Sequence, residues 1–328
     1  MTVLVTGATG FVGRHLVERL LADGVRVRAF VRPATVARHT LSAGVDLVSG
    51  DLATGALATG APLDAAVQGC DVVYHLAAVH GPAVLAADCE AVNVRGTARL
   101  AEAAARAGVS RFVLASTRGV HGMIRDGTID EGTPTSPDSP YRESKLVAEH
   151  EVSRVAGEHG LPSVILRLPS MIGSGAMGWL GLFRAVATGR FRMIGSGANR
   201  QHPCAVADAV QALSRVRIAT GVDGETFVIG GKESVSTRAF ISLIADTLGV
   251  GVSRIRLPAA PYEAWRAIEL AAARLRGRRP SQGRNEFFVM SYRIDDSKAR
   301  RLFGYEPSGS IADAVRETAA WYREHGHL

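Results

Sequence analysis

Tyr141 and Lys145 stand one helical turn apart in the run Tyr141-Arg142-Glu143-Ser144-Lys145. At a spacing of i and i+4, two side chains share one face of a helix. A free tyrosine titrates near pH ~10 and is a poor base at neutral pH. An ammonium beside it favours the phenolate and lowers that value. Tyr141 so placed is expected to exchange a proton with a substrate hydroxyl or carbonyl oxygen. The spacing also arises by chance, as a packed tyrosine beside a solvated lysine. Upstream, the segment Arg111–Ala115 is predicted to be a strand ending in Ser116 and Thr117. A hydroxyl at the carboxyl end of a parallel strand faces the ligand crevice. Either hydroxyl is placed to hydrogen-bond a reacting oxygen, or to cap a turn.

A second constellation lies at the amino end, in Gly7-Ala8-Thr9-Gly10-Phe11-Val12-Gly13. It follows the apolar run Thr2–Thr6 and precedes Phe11–Ala22, whose Val12, Leu16, Val17, Leu20 and Leu21 have helical spacing. Gly7 permits a tight turn, and Gly10 lets the backbone approach a diphosphate. Gly13 allows close helix packing, and the helix amino end offers N–H groups to the anion. The spacing is one residue longer than G-x-G-x-x-G, but its place between strand and helix is the one a dinucleotide needs. Thr9, Phe11 and Val12 are counted with the glycines as cofactor contacts, and Lys145 is expected to reach the nicotinamide ribose.

The second strand, Val25–Val31, runs into Arg32, with Arg38 beyond, and no Asp or Glu lies between Asp23 and Asp46. An acid there would suit the ribose hydroxyl of NAD, whereas arginine suits the 2′-phosphate of NADP. NADP is therefore expected, with NAD as the alternative. Arg32 as a surface arginine, or stacked on the adenine, stays open. Asp51 and Leu52 are expected at the adenine edge, with a helix cap as the other reading of Asp51.

These residues need a scaffold. Further strands are predicted at Asp46–Val48, Asp71–Leu76, Ser163–Leu168 and Thr226–Ile229, and helices at Ala91–Ala107, Tyr141–Glu158 and Ile311–Tyr322. Strict alternation implies a doubly wound α/β parallel sheet of Rossmann type. The predicted division is a dinucleotide-binding domain over residues 1–170, with 205–230 returning to it. Residues 171–204 and 231–328 form a smaller, discontinuous substrate lobe. Met171, Met177, Trp179, Leu180, Leu182 and Phe183 either wall an apolar pocket there or are core.

The chain has 328 residues, 47% of them hydrophobic, and a net charge of +7 from 38 Lys and Arg against 31 Asp and Glu. It can bury a large core, and global disorder is excluded. The basic residues are spread along the chain, which argues against nucleic acid. The basic run Arg274–Arg279 with Arg284 is either a site for an anionic substrate or a solvated helix end. Three isolated cysteines argue against disulfides and zinc. His75, His80, His121 and His202 form no ligand pair, so no metal is expected. Neither a signal peptide nor a membrane span is legible, and a cytoplasmic location is expected.

The motifs taken in order resemble the extended short-chain dehydrogenase/reductase superfamily, also called the NAD-dependent epimerase/dehydratase family. GATGFVG (7–13), DL (51–52), HLAA (75–78), NVRGT (93–97), STRGVHG (116–122), YRESK (141–145) and DDSKARRLFGYEP (295–307) carry the resemblance. It implies a catalytic triad of Thr117, Tyr141 and Lys145, with Thr117 preferred because it stands three residues before the Val of VHG. Leu76, Ala77 and Ala78 match the cofactor-lining turn, Leu168 and Ser170 match a segment near the nicotinamide, and Ser116 is counted with the cofactor contacts. Asn93 falls on the family's helix asparagine and is given a structural role. A homodimer is implied. Where the family's dehydratases have Thr-Asp-Glu, this chain has Thr117-Arg118-Gly119, so dehydration is disfavoured. Arg167-Leu168-Pro169 and Ala205-Val206-Ala207-Asp208 also depart from the sugar-nucleotide pattern. The expected activity is hydride transfer between NADP and a small ketone or secondary alcohol. A nucleotide-sugar epimerase and a cofactor-sensing regulator are the alternatives.

Overall fold

A computed structural model describes residues 1–33, 41–57, 63–81, 84–253, 255–261, 264, 268, 271–272 and 286–328. Arg38, Arg274–Arg279 and Arg284 lie outside the described residues. The central sheet is built from β1 (Thr2–Thr6), β2 (Arg26–Val31), β3 (Asp46–Asp51), β4 (Ala56–Leu57), β5 (Val72–His75), β6 (Arg111–Thr117), β7 (Ser163–Leu168) and β8 (Thr226–Val228). Its order is β8-β7-β6-β5-β1-β2-β3-β4. All neighbours are parallel except β4, a two-residue antiparallel edge on β3. The order reverses at β1, where β2 and β5 flank it, and a doubly wound sheet opens its ligand crevice there. The expected Rossmann-type α/β fold is the one observed.

β7, Ser-Val-Ile-Leu-Arg-Leu, is buried at every position, as a strand covered by helices on both faces requires. One core lies between the sheet and α1 (Phe11–Ala22), joined by Val206–Val216. The other lies beneath α2 (Gly96–Arg106) and α3 (Pro140–His159). Ser139 caps α3 by accepting from the Arg142 N–H, Pro140 stands in the first turn, and Gly160 ends the helix in the left-handed conformation. The helix predicted at Ala91–Ala107 begins earlier, at Ala86–Asp88, and passes through a π turn at Cys89–Arg95 before α2. Beyond β7, Leu180–Ala187, Thr237–Leu248 and Ile311–Glu324 pack around Phe183, Phe240 and Tyr322 in a third core. A small fourth core of Ile129, Val228, Met290, Tyr292 and Ile294 joins Arg293–Ile294 to Thr128–Ile129 as parallel strands. No described helix is long and apolar enough to cross a membrane, and no described cluster of His, Cys, Asp or Glu could hold a metal.

Candidate active site

The turn after β1 is shaped by what its glycines leave out. Gly7 has φ +70°, and a Cβ there would meet the Ala77 nitrogen at 2.7 Å. A Cβ on Gly13 would lie 2.1 Å from the Gly7 carbonyl oxygen. Gly13 therefore lets α1 pack onto the turn itself. Gly10 caps α1 without a side chain and donates to the Gly7 carbonyl at 2.9 Å. The helix amino end is left open, with its N–H groups available to an anion.

The turn belongs to one continuous crevice of about 2040 Å³. Thr9, Phe11 and Val12 line it beside Gly7, Gly10 and Gly13, as do Arg32 at the end of β2 and Asp51 and Leu52 at the end of β3. Leu76, Ala77 and Ala78 line it after β5, Ser116 and Thr117 at the end of β6, Tyr141 and Lys145 in the first turns of α3, and Leu168 and Ser170 after β7. Every residue singled out from the sequence as catalytic or cofactor-binding thus lies on one surface. Arg32 is exposed and has no carboxylate partner among the described residues. Asp51 accepts from the Ala53 N–H at 2.8 Å, so one carboxylate oxygen is held by the turn.

A buried hydrogen-bond chain ties the cofactor side to the catalytic helix. Thr97 donates to the Asn93 carbonyl at 2.6 Å, so its oxygen accepts from His75 Nε2 at 2.8 Å. That assigns the tautomer, and His75 Nδ1 accepts from the Thr6 hydroxyl at 2.7 Å. The Thr6 oxygen in turn accepts from the Ala77 N–H at 3.2 Å. Loss of hydration, then the Lys145 charge, pushes His75 down to about 3, so it stays neutral as this chain requires. The Asn93 side chain accepts from Val79 N–H, donates back to the Val79 carbonyl and donates to Ser144, whose hydroxyl donates to the Tyr141 carbonyl. Asn93 therefore holds the turn after β5 and the start of α3 in one register.

The two hydroxyls at the end of β6 are not equivalent. Ser116 donates to Glu149, which commits its O–H to the core. Thr117 accepts from the Gly119 N–H at 3.0 Å, and its own O–H has no acceptor among the described residues. It is the hydroxyl free to donate into the crevice. Beneath it, Glu149 forms a buried pair with Arg167, whose Nη2 donates at 2.7 Å, and Arg167 Nη1 donates to His121 Nε2 at 3.4 Å.

The titration of the pair departs from expectation. Burial, reinforced by Cys89, pushes the half-buried Tyr141 phenol up to about 12 against a smaller opposing effect of Arg142. Burial pulls Lys145, 1% exposed, down to about 8 against the attraction of Glu149. The expected lowering of the phenol by Lys145 is therefore not met. Lost hydration dominates both groups and disfavours the charged form of each.

The lobe face also divides. Met171, Met177, Trp179 and Leu182 line the crevice, whereas Phe183 is fully buried and Leu180 packs against the third core. Helical rotation turns these two to the opposite side. Sequence reasoning missed Phe287, Phe288 and Met290, which the C-terminal segment brings to the same wall. It also missed Arg14, directly after the glycine turn, for which the basic residue at position 14 was the only signal.

A sequence model of the NAD-dependent epimerase/dehydratase family matches residues 3–230. The chain belongs to that family. Sterol demethylase protein B of Methylococcus capsulatus is 31% identical over 344 residues, covering 100% of both chains. A 4-hydroxy-2-methyl-3-oxo-4-farnesyl-3,4-dihydroquinoline-1-oxide ketoreductase of Stigmatella aurantiaca is 29% identical over 316 residues, covering 93% of this chain and 92% of that one. The solved dTDP-glucose 4,6-dehydratase of Streptomyces venezuelae, with NAD bound, superposes with a TM-score of 0.77 at 27% identity, over 99% of this chain and 97% of that one. The family and these relatives make this protein an NAD(P)-dependent enzyme of the extended short-chain dehydrogenase/reductase type. The glycine cradle and the open α1 amino end fit a dinucleotide diphosphate.

Proposed function

We propose that this family member reduces a ketone of a small molecule, or oxidises the matching secondary alcohol, with NADP as its partner. The observation that carries the reading is that the free Thr117 hydroxyl, Tyr141 and Lys145 line the same crevice as the glycine turn. Bound along that surface, the nicotinamide would supply or accept the hydride. Thr117 donates to the substrate oxygen and orients it. Tyr141, a phenol at neutral pH, gives that oxygen its proton in the direction of reduction. Lys145 brings positive charge to the same place, and the Asn93 chain holds Tyr141 in register.

Arg32 supports NADP: it directly follows β2, is exposed, lines the crevice and has no acidic neighbour in the described part of that turn. The relative named as a ketoreductase of a farnesylated quinoline supports ketone reduction on an apolar molecule. So does the wall of Trp179, Leu182, Phe287 and Phe288. Dehydration has little support, because Arg118 and Gly119 follow Thr117 where an acid would be needed to expel water. A nucleotide-sugar epimerase is the second reading, favoured by relatives such as the UDP-glucose 4-epimerase of Mycolicibacterium smegmatis, 30% identical over 347 residues.

Purified enzyme with NADPH and a panel of cyclic and aryl ketones is expected to lose absorbance at 340 nm. Tyr141→Phe should slow that loss by roughly 10²–10⁴-fold. Conversion of UDP-glucose with no net change in cofactor would favour the epimerase. An unchanged rate in Tyr141→Phe would remove the proton-transfer role.

A further inference from the structure

Among the described residues, Arg111, Arg118, Arg142 and Arg167 are buried, each no more than 9% exposed. Three have a carboxylate partner: Asp223 for Arg111, Asp138 for Arg142 and Glu149 for Arg167. Arg118 has none. Its guanidinium lies 4.6 Å from the centre of the Tyr292 ring. Its other contacts among the described residues are long, to the Gly122 carbonyl at 3.4 Å and the Met290 sulfur at 3.8 Å. An arginine withdrawn from water without a counter-charge is costly, and the ring face offsets only part of that.

This side chain lines the crevice one residue after Thr117. We propose that Arg118 is a recognition site for a carboxylate on the substrate, so that the substrate is an apolar ketone carrying an acid group. The proposal rests on reading the crevice as a ketone reductase site. Guanidinium presents N–H groups in a fork that matches two carboxylate oxygens. The surroundings strengthen such a pair, because Met290 and Tyr292 belong to the small apolar core of Ile129, Val228 and Ile294, where electrostatic interactions are little screened. Arg118 follows Thr117 in the chain and lines the same crevice, so the acid group and the reacting oxygen would be recognised from adjacent residues. The cofactor diphosphate would take the glycine turn after β1, whereas Arg118 stands in the turn after β6. Trp179, Leu182, Phe287 and Phe288 then face the rest of the substrate.

The test uses the full chain saturated with NADP⁺ and two pairs of probes. These are 3-oxocyclohexanecarboxylate and 4-oxo-4-phenylbutanoate, each against its methyl ester, with equilibrium binding followed by calorimetry. The acids should bind the wild type roughly tenfold to a hundredfold more tightly than the esters, the range of a charged hydrogen bond. Arg118→Met should erase that preference by weakening the acids alone, and Arg118→Lys should keep part of it. Because no ion pair is lost, Arg118→Met without probe should melt no lower than wild type.

Equal binding of acids and esters by wild type would overturn the proposal, as would failure of both acids to bind. Equal loss of acids and esters in both variants would also overturn it, by marking Arg118 as a packing residue. The readout does not need hydride transfer. Acids that bind through Arg118 but are never reduced would sink the ketone-reductase reading and leave this site standing.

Discussion

At the scale of single residues, burial decides how the Tyr141–Lys145 pair behaves. The sequence places the two on one helix face, but spacing says nothing about hydration. With the phenol pushed up to about 12, Tyr141 keeps its proton across the physiological range, the form that the proposed proton donor needs. Lys145, pulled down to about 8 by burial, is the group that titrates near working pH. It is a base with a lowered value, so it is charged below about 8 and neutral above. The kcat/KM for ketone reduction should therefore hold level up to about pH 8 and decline above it with a single ionisation. A pH series with Lys145→Met should start from a much lower plateau and lack that inflection. A wild-type profile flat to pH 10 would show that the lysine charge does not matter to the reaction.

At the scale of elements, α3 carries Tyr141 and must be held against the ends of β6 and β7. The Glu149–Arg167 pair does this, with side chains 4% and 10% exposed, and Ser116 closes the cluster from β6. Glu149→Gln leaves the Arg167 charge buried without compensation. Stability is expected to fall by about 3–5 kcal/mol, the usual cost of breaking such a pair from one side, as measured by urea unfolding. A loss under about 1 kcal/mol would mean that water or His121 accommodates Arg167 without the acid. In the sequence, Glu149 reads only as one more helix-face acid, and Arg167 as a departure from the sugar-nucleotide pattern. Neither shows that the two meet, because they lie on different elements.

At the scale of the molecule, the crevice is positively charged. Arg14, Arg32, Arg118, Arg142, Lys145, Arg190 and Arg192 line it against Asp51 and Asp88 among the described residues. Such a field attracts anionic ligands, and NADP has an extra phosphate to offer Arg32. Binding to the folded state alone raises stability by about 2.7 kcal/mol at a concentration one hundred times the Kd. At equal concentrations, NADP⁺ should thus raise the melting temperature more than NAD⁺ does, and Arg32→Ala should close most of the gap. If the variant lowers the effect of both cofactors equally, Arg32 does not read the 2′-phosphate.

What the sequence determined by itself was the local chemistry: the glycine turn between strand and helix, the alternation that makes a parallel sheet, and the Tyr-Lys spacing on α3. These are read from neighbours along the chain, because backbone conformation and helical facing are short-range properties. The tertiary structure alone decided that Thr117 rather than Ser116 has a free hydroxyl. It also decided that Leu180 and Phe183 turn away from the crevice, and that Phe287, Phe288 and Met290 line it. Only there does Arg118 stand apart from the other buried arginines, since charge compensation and hydration depend on groups brought together from distant parts of the chain.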